Sequence, residues 1–184
     1  MTRSSAASSD IAPLKPAVSL RDCPRWPTMQ WLPHEVADTL MRHLVVLEGH
    51  GFRTSRVEVV CALILACDPT EPSLLADLRR YKSRQRPGTP SRERLRGVPM
   101  VLRMPSPITL RLDCLTDVIG QRDQRIYRHE MIATLILRAG SDYSRLEEDC
   151  LAYRQARARD AAVKGTSPGV VLTQRKPRPG ARSI

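Results

Sequence analysis

RIYRHEMIATLIL, residues Arg125–Leu137, has a counterpart earlier in the chain: RTSRVEVVCALIL, residues Arg53–Leu65. A shift of 72 positions superposes Arg53 on Arg125, Arg56 on Arg128, Glu58 on Glu130 and Leu63-Ile64-Leu65 on Leu135-Ile136-Leu137, without a gap. The same shift goes on to match Leu74 with Leu146, Asp77 with Asp149 and Tyr81 with Tyr153. One register held over so long a stretch is the mark of an internal duplication. Each copy carries a helical apolar stripe at i, i+3, i+4, i+7: Val60, Leu63, Ile64, Cys67, and then Ile132, Leu135, Ile136, Ala139. Ser55 and Glu58 have the spacing of a capping box, whereas Tyr127 stands where the second copy needs its cap.

Upstream of the second copy, Pro107–Asp113 alternates apolar and polar residues, which predicts a half-buried strand over Ile108–Leu112. A very short helix with Leu115, Val118 and Ile119 on one face is expected after it, because only 13 positions separate Leu112 from Arg125. Upstream of the first copy, a weaker strand is expected around Trp26–Leu32, with Pro27, Met29 and Trp31 outward. A helix carrying Val36, Leu40, Leu44 and Leu47 follows it. Beyond each Arg-led helix a third is expected, with Leu74, Leu78 and Tyr81 in one copy and Leu146, Cys150 and Tyr153 in the other. These third helices either cover the open end of each unit or offer a docking face to a protein partner.

The strand, the Leu32-Pro33-x-Glu35-Val36 approach to a helix, and the Arg-x-x-Arg-x-Glu second helices resemble the ribbon–helix–helix family of DNA-binding proteins. The resemblance covers about half the chain, roughly residues 27–67 and 107–140. The segment Arg53–Cys67 is also similar to small basic proteins of actinobacterial chromosomes and plasmids. The expected fold is therefore mainly α with short β-strands. It would be a duplicated strand–helix–helix(–helix) module whose two copies pair inside one chain as a pseudo-dimer. That pairing is favoured over a homodimer because a copy of about 40 residues cannot bury its apolar face alone and a tethered partner is always at hand.

The 184 residues carry 30 Lys and Arg against 19 Asp and Glu, a net charge of +11, which points to polyanionic partners. The organisation read from composition is a disordered arm (1–25), a first repeat (26–85), a basic Pro/Gly linker (86–104), a second repeat (105–162) and a basic tail (163–184). Residues 79–103 hold nine cations against Glu93 alone, a net of +8, and residues 161–184 hold five cations and no acid. Charge on such segments suits phosphate contacts, which need reach more than fixed geometry. A solubilising linker is the plainer alternative. No run of eighteen apolar residues and no leader pattern is present, so a cytoplasmic, nucleoid-associated protein with no membrane partner is expected. Five cysteines without a C-x-x-C pair suit reduced thiols, and His43, His50, Cys61 and Cys67 have no familiar metal spacing. With neither a Gly-rich phosphate loop nor a nucleophile–base arrangement, no enzyme, cofactor or metal is expected.

The resemblance implies a mechanism. Two strands pair antiparallel and enter the major groove, which would set Thr109 and Arg111 against base edges. The second helices would direct their N-termini at phosphates. Arg53, Ser55, Arg56, Arg125, Tyr127 and Arg128 sit there, with Arg94, Arg96, Arg175 and Lys176 adding contacts from the linker and tail. The plainer role for the helix arginines is pairing with Glu58 and Glu130. A sequence-specific double-stranded DNA-binding protein follows, acting as a transcriptional regulator or as a plasmid partition or transfer accessory. The alternative is a protein–protein adaptor or antitoxin-like module, in which Met29 and Trp31 grip a partner.

Overall fold

The computed structural model describes residues 25–84, 97–122 and 125–165. The expected arm and most of the tail, with Arg94, Arg96, Arg175 and Lys176, lie outside the described residues. Within them the chain is mainly helical, with one two-stranded antiparallel sheet. Strand β1 (Arg25–Leu32) is followed by α1 (His34–Gly49), α2 (Arg56–Ala66) and α3 (Pro72–Arg84). Strand β2 (Val98–Pro105) is followed by α4 (Ser106–Gly120), α5 (Arg128–Ala139) and α6 (Tyr143–Gly165). A strand and three helices thus occur twice in the same order.

The second strand is not where alternation placed it. Residues 107–113 lie within α4, and the strand is Val98–Pro105, all but its last residue in what was expected to be linker. The alternation over Ile108, Leu110 and Leu112 is half of a helical pattern. Ile108, Leu112, Leu115 and Ile119 are buried at helical spacing, while Leu110 is 64% exposed on the opposite side. Pro107 sits in the first turn, where a proline's fixed φ and missing N–H suit a helix start. The true strand has the period of two: Met100, Leu102 and Met104 are buried, while Pro99, Val101 and Arg103 are exposed. With 106–120 helical, the first helix of the second half is a full element of 15 residues and not the very short one expected.

α2 and α5 form the centre. Val59–Ile64 and Met131–Ile136 are each buried without interruption, so both helices are enclosed on all sides. Most of the enclosure comes from the opposite half. α2 packs against β2, α4 and α6, α5 packs against β1, α1 and α3, and the two central helices touch each other. The two halves share one core. His43 of α1 reaches across this core, its buried ring placing Nε2 at 3.1 Å from the carbonyl oxygen of Ile136. Gly140 ends α5 at φ 57°, a left-handed conformation that favours glycine. Among the described residues no helix is long and apolar enough to cross a membrane.

Candidate nucleic-acid interface

β1 and β2 pair over their whole length, from Arg25 opposite Pro105 to Leu32 opposite Val98. Met29 faces Val101, Trp31 faces Pro99, and Pro27 is in register with Arg103. Alternation puts Gln30, Leu32, Met100, Leu102 and Met104 into the core and turns Met29, Trp31, Pro99, Val101 and Arg103 to solvent. Met29 and Trp31 point outward as expected. Met29 and Val101 are both cross-strand partners and equivalents under the 72-residue shift, so their pair marks the ribbon's local twofold. The same operation relates Trp31 to Arg103. At the ribbon's end, Gly97 lies against Leu32, where a Cβ would stand 3.0 Å from the Leu32 carbonyl oxygen.

Thr109 and Arg111 are not on this ribbon. Thr109 is in α4, its hydroxyl turned back to the Pro105 carbonyl at 3.4 Å. Arg111 donates from Nε to the Ile64 carbonyl and from Nη2 to the Cys67 carbonyl, both at 2.9 Å. Its guanidinium therefore closes the C-terminal end of α2, where carbonyls lack helical partners and the dipole favours a cation. The base-contact assignment of these two residues is corrected accordingly.

The second-helix N-termini divide into exposed and engaged residues. Ser55 caps α2 by accepting from the Glu58 N–H at 3.3 Å. The Tyr127 N–H donates to Glu130 Oε2 at 2.9 Å. Arg53, Arg56 and Arg125 are exposed, and Arg125 lies over the half-exposed Tyr127 ring, 5.2 Å from its centroid. Tyr127 in turn stacks on His129. Arg128 forms a two-pronged ion pair with Asp113, at 2.5 and 2.6 Å, that ties α5 to α4 and raises the Arg128 pKa. Its guanidinium is thus engaged by a carboxylate, unlike those of the exposed Arg53, Arg56 and Arg125.

Glu58 and Glu130 are held by the third helices, not by the arginines beside them. Arg154 of α6 pairs with Glu58 and donates to the Arg53 carbonyl. Lys82 of α3 lies 3.9 Å from Glu130 and donates to the Arg125 carbonyl at 2.8 Å. Lys82 and Arg154, Glu58 and Glu130, and Arg53 and Arg125 are all 72 positions apart. The same cross-half contact is made twice, and each time it leaves the flanking arginine side chain outward.

A cleft of about 330 Å³ lies between the ends of α2 and α5 and the third helices. Leu63, Leu74, Leu135 and Leu146 line it together with Asp77, Arg138 and Asp149. Arg138 bridges it by bonding Glu71 and approaching Asp77 at 3.5 Å. Burial raises the Asp149 carboxyl above its usual range and pushes the Cys67 thiol up to about 11.

Sequence reasoning missed Val101 and Arg103 as ribbon positions. The signal was available, because the 72-residue shift continues upstream through Pro27/Pro99, Pro33/Pro105, Val36/Ile108, Leu40/Leu112 and Val46/Val118. The chain matches no protein-family model, no curated protein and no solved structure.

Proposed function

We propose that this chain is a sequence-specific double-stranded DNA-binding protein built as a single-chain ribbon–helix–helix pseudo-dimer. Regulation of transcription, or an accessory role in plasmid partition or transfer, is the corresponding activity, carried out at the nucleoid and without catalysis. The observation that carries the reading is the β1·β2 ribbon, one strand from each 72-residue repeat, solvent-facing on one side. A two-stranded ribbon fits the major groove, and its outward residues are then placed against base edges. Exposed Arg53, Arg56 and Arg125 at the starts of α2 and α5 add cations where helix N–H groups already favour a phosphate. Net charge of +11 suits the same partner.

The test is fluorescence anisotropy with duplex DNA across a salt series. Binding should weaken steeply with salt, with a log–log slope of roughly 0.9 per phosphate neutralised. Arg53→Ala combined with Arg56→Ala should lower affinity for all sequences alike and flatten that slope. A slope unchanged in the double variant would remove these arginines from the interface. A protein-binding ribbon is the second reading, favoured by Met29 and Trp31 standing 60% and 56% exposed.

A further inference from the structure

The outward face of the ribbon is mostly apolar. Met29, Trp31 and Val101 are 60%, 56% and 52% exposed, Pro99 is exposed opposite Trp31, and Arg103 stands at the other end. Met29, Val101 and Pro99 have no side-chain group that can hydrogen-bond a base edge. The thymine C5-methyl is the apolar feature of the major groove, and apolar side chains recognise it by contact. Arg103 has the fork that pairs with guanine O6 and N7. The strip carries the cation Arg103 and no carboxylate among its described outward residues, and Arg53, Arg56 and Arg125 are exposed on the same molecule, charges that suit a polyanion.

We infer that the ribbon selects its DNA by contact with thymine methyl groups through Met29 and Val101, with Arg103 reading a guanine at one end. The inference rests on the DNA-binding reading above and specifies what that ribbon recognises. The local twofold puts Trp31 where a symmetric ribbon would repeat Arg103, so the site is asymmetric: a guanine on the Arg103 side and none on the Trp31 side. A direct hydrogen-bond code would instead need amide, hydroxyl or guanidinium groups at the central pair, and that pair is Met29 with Val101.

The experiment selects bound sequences from a random duplex pool, then remakes the selected duplex with uracil in place of thymine. Uracil keeps every hydrogen-bonding group of thymine and lacks only the methyl. The selected site should be thymine-rich with a guanine at one end, and uracil should weaken binding about fourfold per methyl contacted. Met29→Ala and Val101→Ala should shrink the thymine–uracil difference. Arg103→Ala should erase the guanine preference and keep that difference. All three positions are exposed, so unfolding curves like the wild type's should accompany these changes. Equal affinity for thymine and uracil duplexes overturns the inference while leaving DNA binding intact, as does salt-sensitive retention with no sequence enriched. Retention of neither pool overturns the DNA-binding reading together with the inference and hands the ribbon to a protein partner.

Discussion

Arg111 shows how one side chain can be right in type and wrong in place. An arginine in an alternating stretch looks like a groove reader, yet here both arms bond the last carbonyls of α2 from the neighbouring half. Arg111→Ala should cost roughly 1–3 kcal/mol of stability, since it strips a charged donor from two carbonyls at once. DNA sequence preference should not change, and urea unfolding beside a competition assay separates the two effects. Asp149 makes the opposite case. Burial raises its pKa above the usual aspartate value, so its charged form is less favourable folded than unfolded. Stability contributed by such a group is present at low pH and falls as pH rises through the raised value. Asp149→Asn should therefore stabilise the protein at neutral pH, and the gain should vanish as pH drops below the ordinary carboxylate range. Thermal melts at several pH values check it, and an equal gain at every pH would point to packing instead of charge.

At the level of elements, the buried helices were the legible part. α2 and α5 announce themselves through repeated apolar stripes, and Leu74, Leu78 and Tyr81 with Leu146, Cys150 and Tyr153 mark the third helices, all six buried. Strand β2 was hidden by its own composition. Pro99, Pro105 and Arg103 belong by type to a basic loop, and a two-stranded ribbon tolerates proline because each strand has a free edge. Ile108–Leu112 was misread because five residues are too few to separate a period of two from a helical turn; flanking Pro105 and Pro107 held the deciding information. The ribbon's outward residues Val101 and Arg103 were missed with the strand, while the exposed Arg53, Arg56 and Arg125 were found from the Arg-x-x-Arg-x-Glu repeat. The third helices pack across the halves, α6 on α2 and α3 on α5, so they are core and not appendages. Leu74→Ala and Leu146→Ala should each cost about 2–5 kcal/mol, as large-to-small changes in a shared core do. A loss near zero for either would make that helix a separable docking element.

At the scale of the whole molecule, a strand and three helices occur twice in one chain, and the two halves diverge at positions 72 apart. The divergence is visible on the ribbon, where Trp31 and Arg103 occupy equivalent places, and in the core, where His43 stands opposite Leu115 in the repeat. Each half encloses its central helix mainly against the other, and same-half packing (α1 on α2, α4 on α5) adds the rest. The same contacts would also form between two chains exchanging halves, which makes connectivity the quantity to test. Met29 and Val101 are directly opposed, and opposed residues of an antiparallel pair have Cα atoms about 4.5–5.5 Å apart, within the reach of a disulfide. In a background with Cys23 and Cys114 replaced by serine, Met29→Cys with Val101→Cys should oxidise within single chains. The buried Cys61, Cys67 and Cys150 should stay out of the reaction. Non-reducing electrophoresis should give one band at the monomer position with altered mobility, and light scattering at low micromolar concentration a mass near 20.7 kDa. A ladder of disulfide-linked dimers, with each single-cysteine variant failing to crosslink, would establish exchange of halves between chains. Crosslinked dimers from Met29→Cys alone would instead show like strands pairing, and the single-chain ribbon would be wrong.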